Sequence, residues 1–213
     1  SYNIRNAKGL DDATNYRRIA DILQISKADV IALQELDSVT YRSKQVDVLQ
    51  KLSDLTGMFA VYAPAIDYNG GKYGVGILSN VKPLSFRYVS LPGREEKRVL
   101  LLVEFERYVF LCTHLSLTEE DRLNTVSIIN RETAALKKPV LLAGDLNDLP
   151  NSSFIQSLQQ QWKLLSSEAF TFPADRPDRC IDYILMRKQD PFKVRSAIVM
   201  DEPVASDHRP VLV

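Results

Sequence analysis

The sequence predicts an α/β domain, and three observations predict it. Helical and extended segments alternate along all 213 residues, with no long linker, low-complexity stretch or internal repeat. Several extended segments are short continuous apolar runs, as expected of strands buried on both faces. Each of these runs ends abruptly in a polar residue: Glu35 after Ala32-Leu33, His114 after Phe110-Leu111, Asp145 after Leu142-Ala143. Ionisable groups at the ends of apolar strands gather at one rim of a sheet, where sites form.

In chain order, Asn15 to Ile25 has helical periodicity, with Tyr16, Ile19, Ala20 and Leu23 on one face. Asp29-Val30-Ile31-Ala32-Leu33 is a strand that stops at the polar pair Gln34-Glu35. A second helix passes through Val46, Leu49, Leu52 and Leu55 and stops at Gly57. Gly70-Gly71 is a turn, and Val75-Gly76-Ile77-Leu78 the strand after it. Val99 to Phe105 and Tyr108 to Cys112 are strands joined by Glu106-Arg107. Thr118 reads as the cap of a helix reaching about Leu136, with Glu119, Glu120 and Asp121 in its first turn. Pro139 introduces the strand Val140-Leu141-Leu142-Ala143. A helix at Phe154 to Leu158, a strand at Ile181 to Met186, and a pairing of Ala197 to Val199 with Val211 onward complete the chain.

Bulk properties narrow the function. The chain is 45% hydrophobic and 25% charged, ordinary for a globular protein, and long enough to bury a core without disulfides or a structural metal. A single domain over residues 1–213 is expected. Lys plus Arg, 27, balance Asp plus Glu, 27, so the basic footprint of a processive nuclease is absent. Cys112 and Cys180 form no metal-binding pattern; Cys112 reads as a small buried residue, with a Cys112–Cys180 disulfide as the minor alternative. No apolar run reaches the roughly 18 residues of a transmembrane helix. Ser1-Tyr2-Asn3-Ile4-Arg5 and Pro210-Val211-Leu212-Val213 both read as strand, so both ends are expected to be trimmed. The compartment stays open, extracytoplasmic placement included.

In Gly144-Asp145-Leu146-Asn147 the glycine lets the chain turn off its strand, and Asp145 and Asn147, two apart, point to the same side if extended. A carboxylate beside an amide suits aiming a water and gripping a phosphate oxygen; the plain alternative is an Asx turn. Glu35 at a strand end is costly unless paired or metal-bound, and Mg²⁺ favours one or two carboxylates completed by water and phosphate. The alternative is a rim Glu paired to a Lys or Arg. The only two histidines, His114 and His208, stand in Thr113-His114-Leu115 and Ser206-Asp207-His208-Arg209-Pro210. A lone strand-end histidine is more often structural, but each of these sits beside residues with their own chemical logic. Asp207 and His208 are adjacent and point apart, so one can face a metal and the other the substrate. Asp182, within Ile181-Asp182-Tyr183, is the candidate partner that orients His208.

Together these segments resemble the endonuclease/exonuclease/phosphatase superfamily, with its deoxyribonuclease-I-like fold. The matching pieces, in order, are Tyr2-Asn3-Ile4-Arg5, Leu33-Gln34-Glu35, Tyr73-Gly74-Val75-Gly76-Ile77-Leu78-Ser79, Thr113-His114-Leu115, Gly144-Asp145-Leu146-Asn147, Ile181-Asp182-Tyr183-Ile184 and Ser206-Asp207-His208-Arg209-Pro210. The resemblance implies a four-layer α/β/β/α sandwich, with two mixed sheets face to face and helices outside. It also implies metal-assisted hydrolysis of a phosphate ester. By motif, Glu35 is the principal metal ligand, Asn3 lies close to the metal and Asp207 is the second acidic contact. Asp145 positions the attacking water, and Asn147 orients water and phosphate. His208 binds the scissile phosphate with Asp182 behind it, and His114 stabilises the transition state or protonates the leaving group. Tyr73 precedes Gly74-Val75-Gly76 as the active-site tyrosine does in nuclease members, although the spacing is one residue shorter and Lys72 stands where many relatives carry an acid.

Arg98, Arg122 and Arg179 are candidate phosphate contacts, each with a surface or salt-bridge alternative. The donor set suits Mg²⁺, or Mn²⁺, over Zn²⁺. The expected activity is a Mg²⁺-dependent phosphodiesterase or phosphomonoesterase on a small-molecule or lipid-derived phosphate ester. A nuclease on DNA or RNA is the alternative, and a catalytically inactive scaffold that only binds a partner is the third reading. Protein partners are left open.

Overall fold

The structure, a computed structural model, describes residues 1–191 and 193–213. Among the described residues, twelve strands and four α-helices follow in order, besides a 3-10 turn at Arg5–Ala7: β1 Tyr2–Asn3, α1 Tyr16–Ser26, β2 Val30–Ser38, α2 Val48–Thr56, β3 Phe59–Tyr68, β4 Gly71–Ser79, β5 Ser85–Leu91, β6 Arg98–Glu104, β7 Val109–His114, α3 Glu119–Ala134, β8 Val140–Asp145, α4 Ser153–Leu158, β9 Trp162–Leu164, β10 Asp182–Arg187, β11 Ile198–Val199 and β12 Val211–Leu212. They form a four-stranded sheet in the order β1-β2-β4-β3 and a six-stranded sheet in the order β5-β6-β7-β8-β10-β9. Both sheets are mixed: β1 runs parallel to β2 and β7 to β8, while the other pairs are antiparallel. The expected closing pair is present as β11 against β12.

The apolar runs explain the layering. Along β6, Val99, Leu101 and Val103 face one way and Leu100 and Leu102 the other, and all are buried. The first set meets Ala32, Val61, Val75 and Ile77 of the smaller sheet, forming a core between the sheets. The second set packs with Leu111, Leu142 and Leu185 under Val126 and Ile129 of α3 and Phe154 and Leu158 of α4. On the opposite side Ile19 and Leu23 of α1 and Leu49 and Leu52 of α2 cover Leu33, Leu36 and Leu78. Three apolar layers therefore separate four structural ones, the α/β/β/α sandwich. No helix among the described residues is long and apolar enough to cross a membrane.

Local signals hold at most helix ends. Asn15 accepts from the Arg18 N–H at 2.9 Å and Asp47 from the Gln50 N–H at 2.9 Å, and Gly57 ends α2 in the left-handed conformation. Thr118 corrects the expectation: it stands at the start of α3 but its side chain makes no capping bond, its hydroxyl lying instead 3.4 Å from Glu95. Cys112 and Cys180 are both buried and unpaired, so the disulfide alternative is not realised.

The larger correction concerns β2, which does not stop at Gln34-Glu35 but runs on to Ser38. A bulge interrupts its pairing with β4 between Leu33 and Leu36, and Glu35 within it has φ 59°. The extra residue lets Leu33 and Leu36, three apart, enter the same helix-covered core. A polar pair in an apolar run reads as a stop; here it is a kink that turns Glu35 out of the sheet.

Candidate active site

Sheet register brings the strand-end groups together. The parallel β7–β8 pairing sets His114 beside Asp145, and the antiparallel β8–β10 pairing sets Asp182 on the other side of Asp145. In the smaller sheet, Asn3 of β1 pairs with Gln34, next to the Glu35 bulge. The segment 206–209 supplies Asp207 and His208, tied down by Ser206 Oγ donating to the Asn3 carbonyl at 2.7 Å.

The Asp145 carboxylate is where these groups converge. Asn3 Nδ2 donates to Asp145 Oδ2 at 3.1 Å and to Glu35 Oε1 at 3.0 Å, and lies 3.4 Å from His208 Nε2. The Arg5 N–H, bonded to Asn3 Oδ1 at 3.1 Å, fixes which way that amide faces. His114 Nε2 stands 3.5 Å from Asp145 Oδ2, and His208 Nε2 3.6 Å from the same oxygen. His208 Nδ1 lies 2.9 Å from Asp182 Oδ2, the geometry of a ring oriented by a buried carboxylate. Asp207 turns away from His208, as adjacent residues do, and faces Arg5 at 3.7 Å.

The Asp145–Asn147 spacing works differently from the extended reading. Asn147 has φ 52°, and its N–H bonds Asp145 Oδ1 at 3.0 Å, so the Asx turn and the convergent site are one and the same feature. Asn147 Nδ2 donates to the Leu115 carbonyl at 2.9 Å, which anchors the amide beside the site. Glu35 and Asn147 are both non-glycine residues in the left-handed region, a conformation that costs on the order of 1 kcal/mol or more and concentrates where groups must be aimed.

Burial and neighbours drive the two histidines apart. Burial disfavours an imidazolium at His208, but Asp182, Asp145 and Asp207 outweigh it and push the ring up to about 10. At His114 burial dominates, Asp145 opposes it only in part, and the ring is pushed down to about 4. The surroundings therefore favour the charged ring at His208 and the neutral ring at His114. Glu35 is raised by burial, against the Asn3 hydrogen bond, with Asp207 and Asp145 adding to the rise.

Three buried groups, Asp145, Asp182 and His208, place donor atoms within 4.8 Å of one another, near enough to hold one ion. Asp182 Oδ2 is already bonded to His208 Nδ1, so this set is better read as an orienting pair beside an acid. Glu35 fits a cation better: it is withdrawn from water and has no ion-pair partner among the described residues, only the Asn3 amide. Its carboxylate offers oxygen ligation suited to a hard divalent ion, with the Asp207 charge acting on it; the Asn3 amide presents Nδ2 to it, the Asn3 oxygen being turned to the Arg5 N–H.

The remaining expected residues make their direct contacts elsewhere, although Glu35 acts on Tyr73 and Arg98 on His114 through charge. Tyr73 pairs with Asp37 beyond the bulge, its ring 5.9 Å from Tyr68 and 5.4 Å from the Arg42 guanidinium; after burial, Glu35 is the main cause holding its hydroxyl protonated. Arg98 is buried with Glu95 at 3.4 Å and Glu96 at 3.3 Å. Arg122 is engaged by Asp148 at 2.8 Å and by the Ser116 carbonyl at 2.9 Å. Arg179 is exposed, its guanidinium 4.5 Å from the centre of the Phe172 ring. Two residues at the site carried no role in the sequence reading: Arg5, which lay inside a matching segment, and Phe172, 4.8 Å from the His208 ring, for which no periodicity or motif gave a signal.

The model of the Endonuclease/Exonuclease/phosphatase family matches residues 1–208. No curated protein matches the sequence. Among solved structures, an endonuclease/exonuclease/phosphatase from Beutenbergia cavernae is 20% identical, with TM-score 0.79 over 98% of this chain and 68% of that one. A mannosyl-6-phosphatase from Bacteroides thetaiotaomicron is 16% identical, with TM-score 0.74 over 99% of this chain and 96% of that one. A humanized TDP2 from D. rerio is also 16% identical, with TM-score 0.74 over 99% and 94%. At these identities the structural likeness establishes the fold.

Proposed function

The chain belongs to the Endonuclease/Exonuclease/phosphatase family, and from that premise we propose that it is a Mg²⁺-dependent hydrolase of phosphate esters, acting on a small-molecule or lipid-derived substrate. The observation that carries the reading is the convergence of Asn3, His114 and His208 on one oxygen of Asp145, at 3.1, 3.5 and 3.6 Å. A carboxylate so surrounded can accept a proton from a water and aim it, while the groups around it meet charge developing on phosphorus.

Each residue has a separate task in this scheme. Asp145 holds the attacking water. Asn147 steers that water and a phosphate oxygen, its own position secured by the Leu115 carbonyl. His208, held charged and aimed by Asp182, binds the scissile phosphate. His114, neutral in its buried place, donates toward the transition state or the leaving oxygen. Glu35, with Asp207 and Asn3, would hold Mg²⁺ or Mn²⁺, which supplies Lewis-acid polarisation of the phosphoryl group. Tyr73 lines the Glu35 side as a neutral donor. The even charge balance, 27 against 27, supports a small ester over a nucleic-acid duplex.

The test is a substrate panel with Mg²⁺, with Mn²⁺ and with chelator: bis-p-nitrophenyl phosphate, mannose 6-phosphate, inositol phosphates, sphingomyelin, abasic duplex and supercoiled plasmid. The expected result is chelator-sensitive hydrolysis of a small ester with the plasmid left intact. Rapid plasmid nicking would replace the substrate class with nucleic acid. Absence of hydrolysis throughout would overturn the enzyme reading in favour of a binding scaffold.

A further inference from the structure

The loop from Phe170 to Arg179 is stapled to the segment that carries Asp207 and His208. Thr171 and Phe172 N–H groups bond the Arg179 carbonyl at 2.7 and 3.0 Å, and the Arg179 N–H returns to the Phe172 carbonyl at 2.9 Å, closing the loop at its base. Arg209 N–H donates to the Thr171 carbonyl and Ala174 N–H to the Asp207 carbonyl, both at 2.7 Å, and the Arg209 side chain adds a bond to the Ala174 carbonyl. The loop therefore cannot shift without moving His208.

Its side chains build outward from that histidine. The Phe172 ring packs on His208 at 4.8 Å, and the Arg179 guanidinium stacks on Phe172 at 4.5 Å. Stacking holds the planar cation in place while leaving its edge free. Among the described residues its polar partner is Asp178, through Nε at 3.1 Å, with both side chains half exposed or more. Such a neighbouring surface pair contributes little and is readily exchanged for a better anion. Arg122, by contrast, is buried and held by Asp148 through Nε and by the Ser116 carbonyl through Nη1.

We propose that Arg179, carried on Phe172, is a specificity-determining residue that binds a second anionic group on the substrate, a phosphate or carboxylate on the part of the molecule extending past His208. The proposal rests on the phosphoesterase reading and deepens it: the preferred substrate is a phosphate ester that bears a further anion. A guanidinium presents a fork that fits either oxyanion, and a charge-assisted contact of this kind is worth about tenfold or more in discrimination.

The experiment compares phosphate release from fructose 1,6-bisphosphate and fructose 6-phosphate by wild type, R179M and R176M, with thermal unfolding as the folding control. Arg176 lies on the same loop, is exposed and, among the described residues, pairs with Asp175 at 3.5 Å, so it reports general charge. Wild type and R176M are expected to favour the bisphosphate in kcat/KM by about tenfold or more, and R179M to lose that preference while retaining its rate on fructose 6-phosphate. Equal loss on both esters in R179M, no preference in wild type, or the same effect from R176M would each overturn the assignment. If wild type hydrolyses neither ester, the phosphoesterase reading fails on these probes. Calorimetric binding of the same two esters then decides the Arg179 assignment separately: tighter binding of the bisphosphate that R179M abolishes supports it, and equal binding refutes it.

Discussion

The two sheets contribute to one site in opposite ways. On the side of the six-stranded sheet the acids are held by protein donors: Asp145 accepts from Asn3 and the Asn147 N–H, and Asp182 is bonded through Oδ2 to His208. On the side of the four-stranded sheet Glu35 projects from a bulge with one amide donor and, among the described residues, no ion-pair contact. The first half is organised by the fold itself. The second retains an uncompensated carboxylate, which a divalent ion would satisfy. Buried charge is tolerated only where something answers it, so the difference separates the groups that aim from the group that waits for a ligand.

Substitutions should expose that difference, the largest effect coming from the organised half. Asp145→Asn keeps the shape and removes the base; kcat is expected to fall on the order of 10³-fold with fold and metal response retained. Full activity in this variant would remove Asp145 from the mechanism. Asp182→Asn leaves His208 without its orienting carboxylate, and kcat should drop about 10²-fold at a nearly constant metal requirement. A change confined to stability would make Asp182 purely structural.

Glu35→Gln probes the other half and should act on the ion first, raising the Mg²⁺ concentration for half-maximal activity by about 10- to 100-fold. With chelator present the same variant is expected to be as stable as wild type or slightly more so, since a poorly compensated charge is gone. Marked destabilisation of the metal-free protein would show that Glu35 is satisfied within the fold, and the contrast between the two halves would collapse.

The smallest effect belongs at the start of α3, away from both halves. Arg94 hydrogen bonds hold Asp121 below the usual carboxylate range. Its contribution to stability is thus present above the unfolded carboxylate pKa and lost as pH falls through its depressed folded value. Asp121→Asn should slightly lower the melting temperature at neutral pH and flatten the acid limb of a melting-temperature profile, without altering kcat. An unchanged acid limb would assign no stabilising role to this pair.

Residue type and local pattern foretold much of the molecule, because burial on both faces of a strand leaves a continuous apolar run, as at Val140–Ala143, and helix faces leave a 3.6-residue period, as at Ile19 and Leu23. Residue context also named His114, His208 and Asp145 itself, since strand ends at a sheet rim collect polar residues, whereas Asn3 came only from the family resemblance. The bulge at Glu35 escaped notice, because Gln34-Glu35 has the composition of an ending and only Leu36 re-entering the core shows that the strand continues. The left-handed Asn147 escaped for a similar reason: spacing of two describes extended chain, and nothing in the letters records φ.

The sequence by itself determined which chemical groups are available and which short segments are strands or helices, because those depend on neighbours a few residues away. The tertiary structure decided which groups meet. His114 reaches Asp145 through the register of two parallel strands, and Asp182 through an antiparallel one. The division among the arginines was settled there too: Arg122 is closed off by Asp148, whereas Arg179 is left at the surface on Phe172. Those pairings join residues far apart in the chain, and long-range contacts are selected by the packing of the whole core rather than by any local preference.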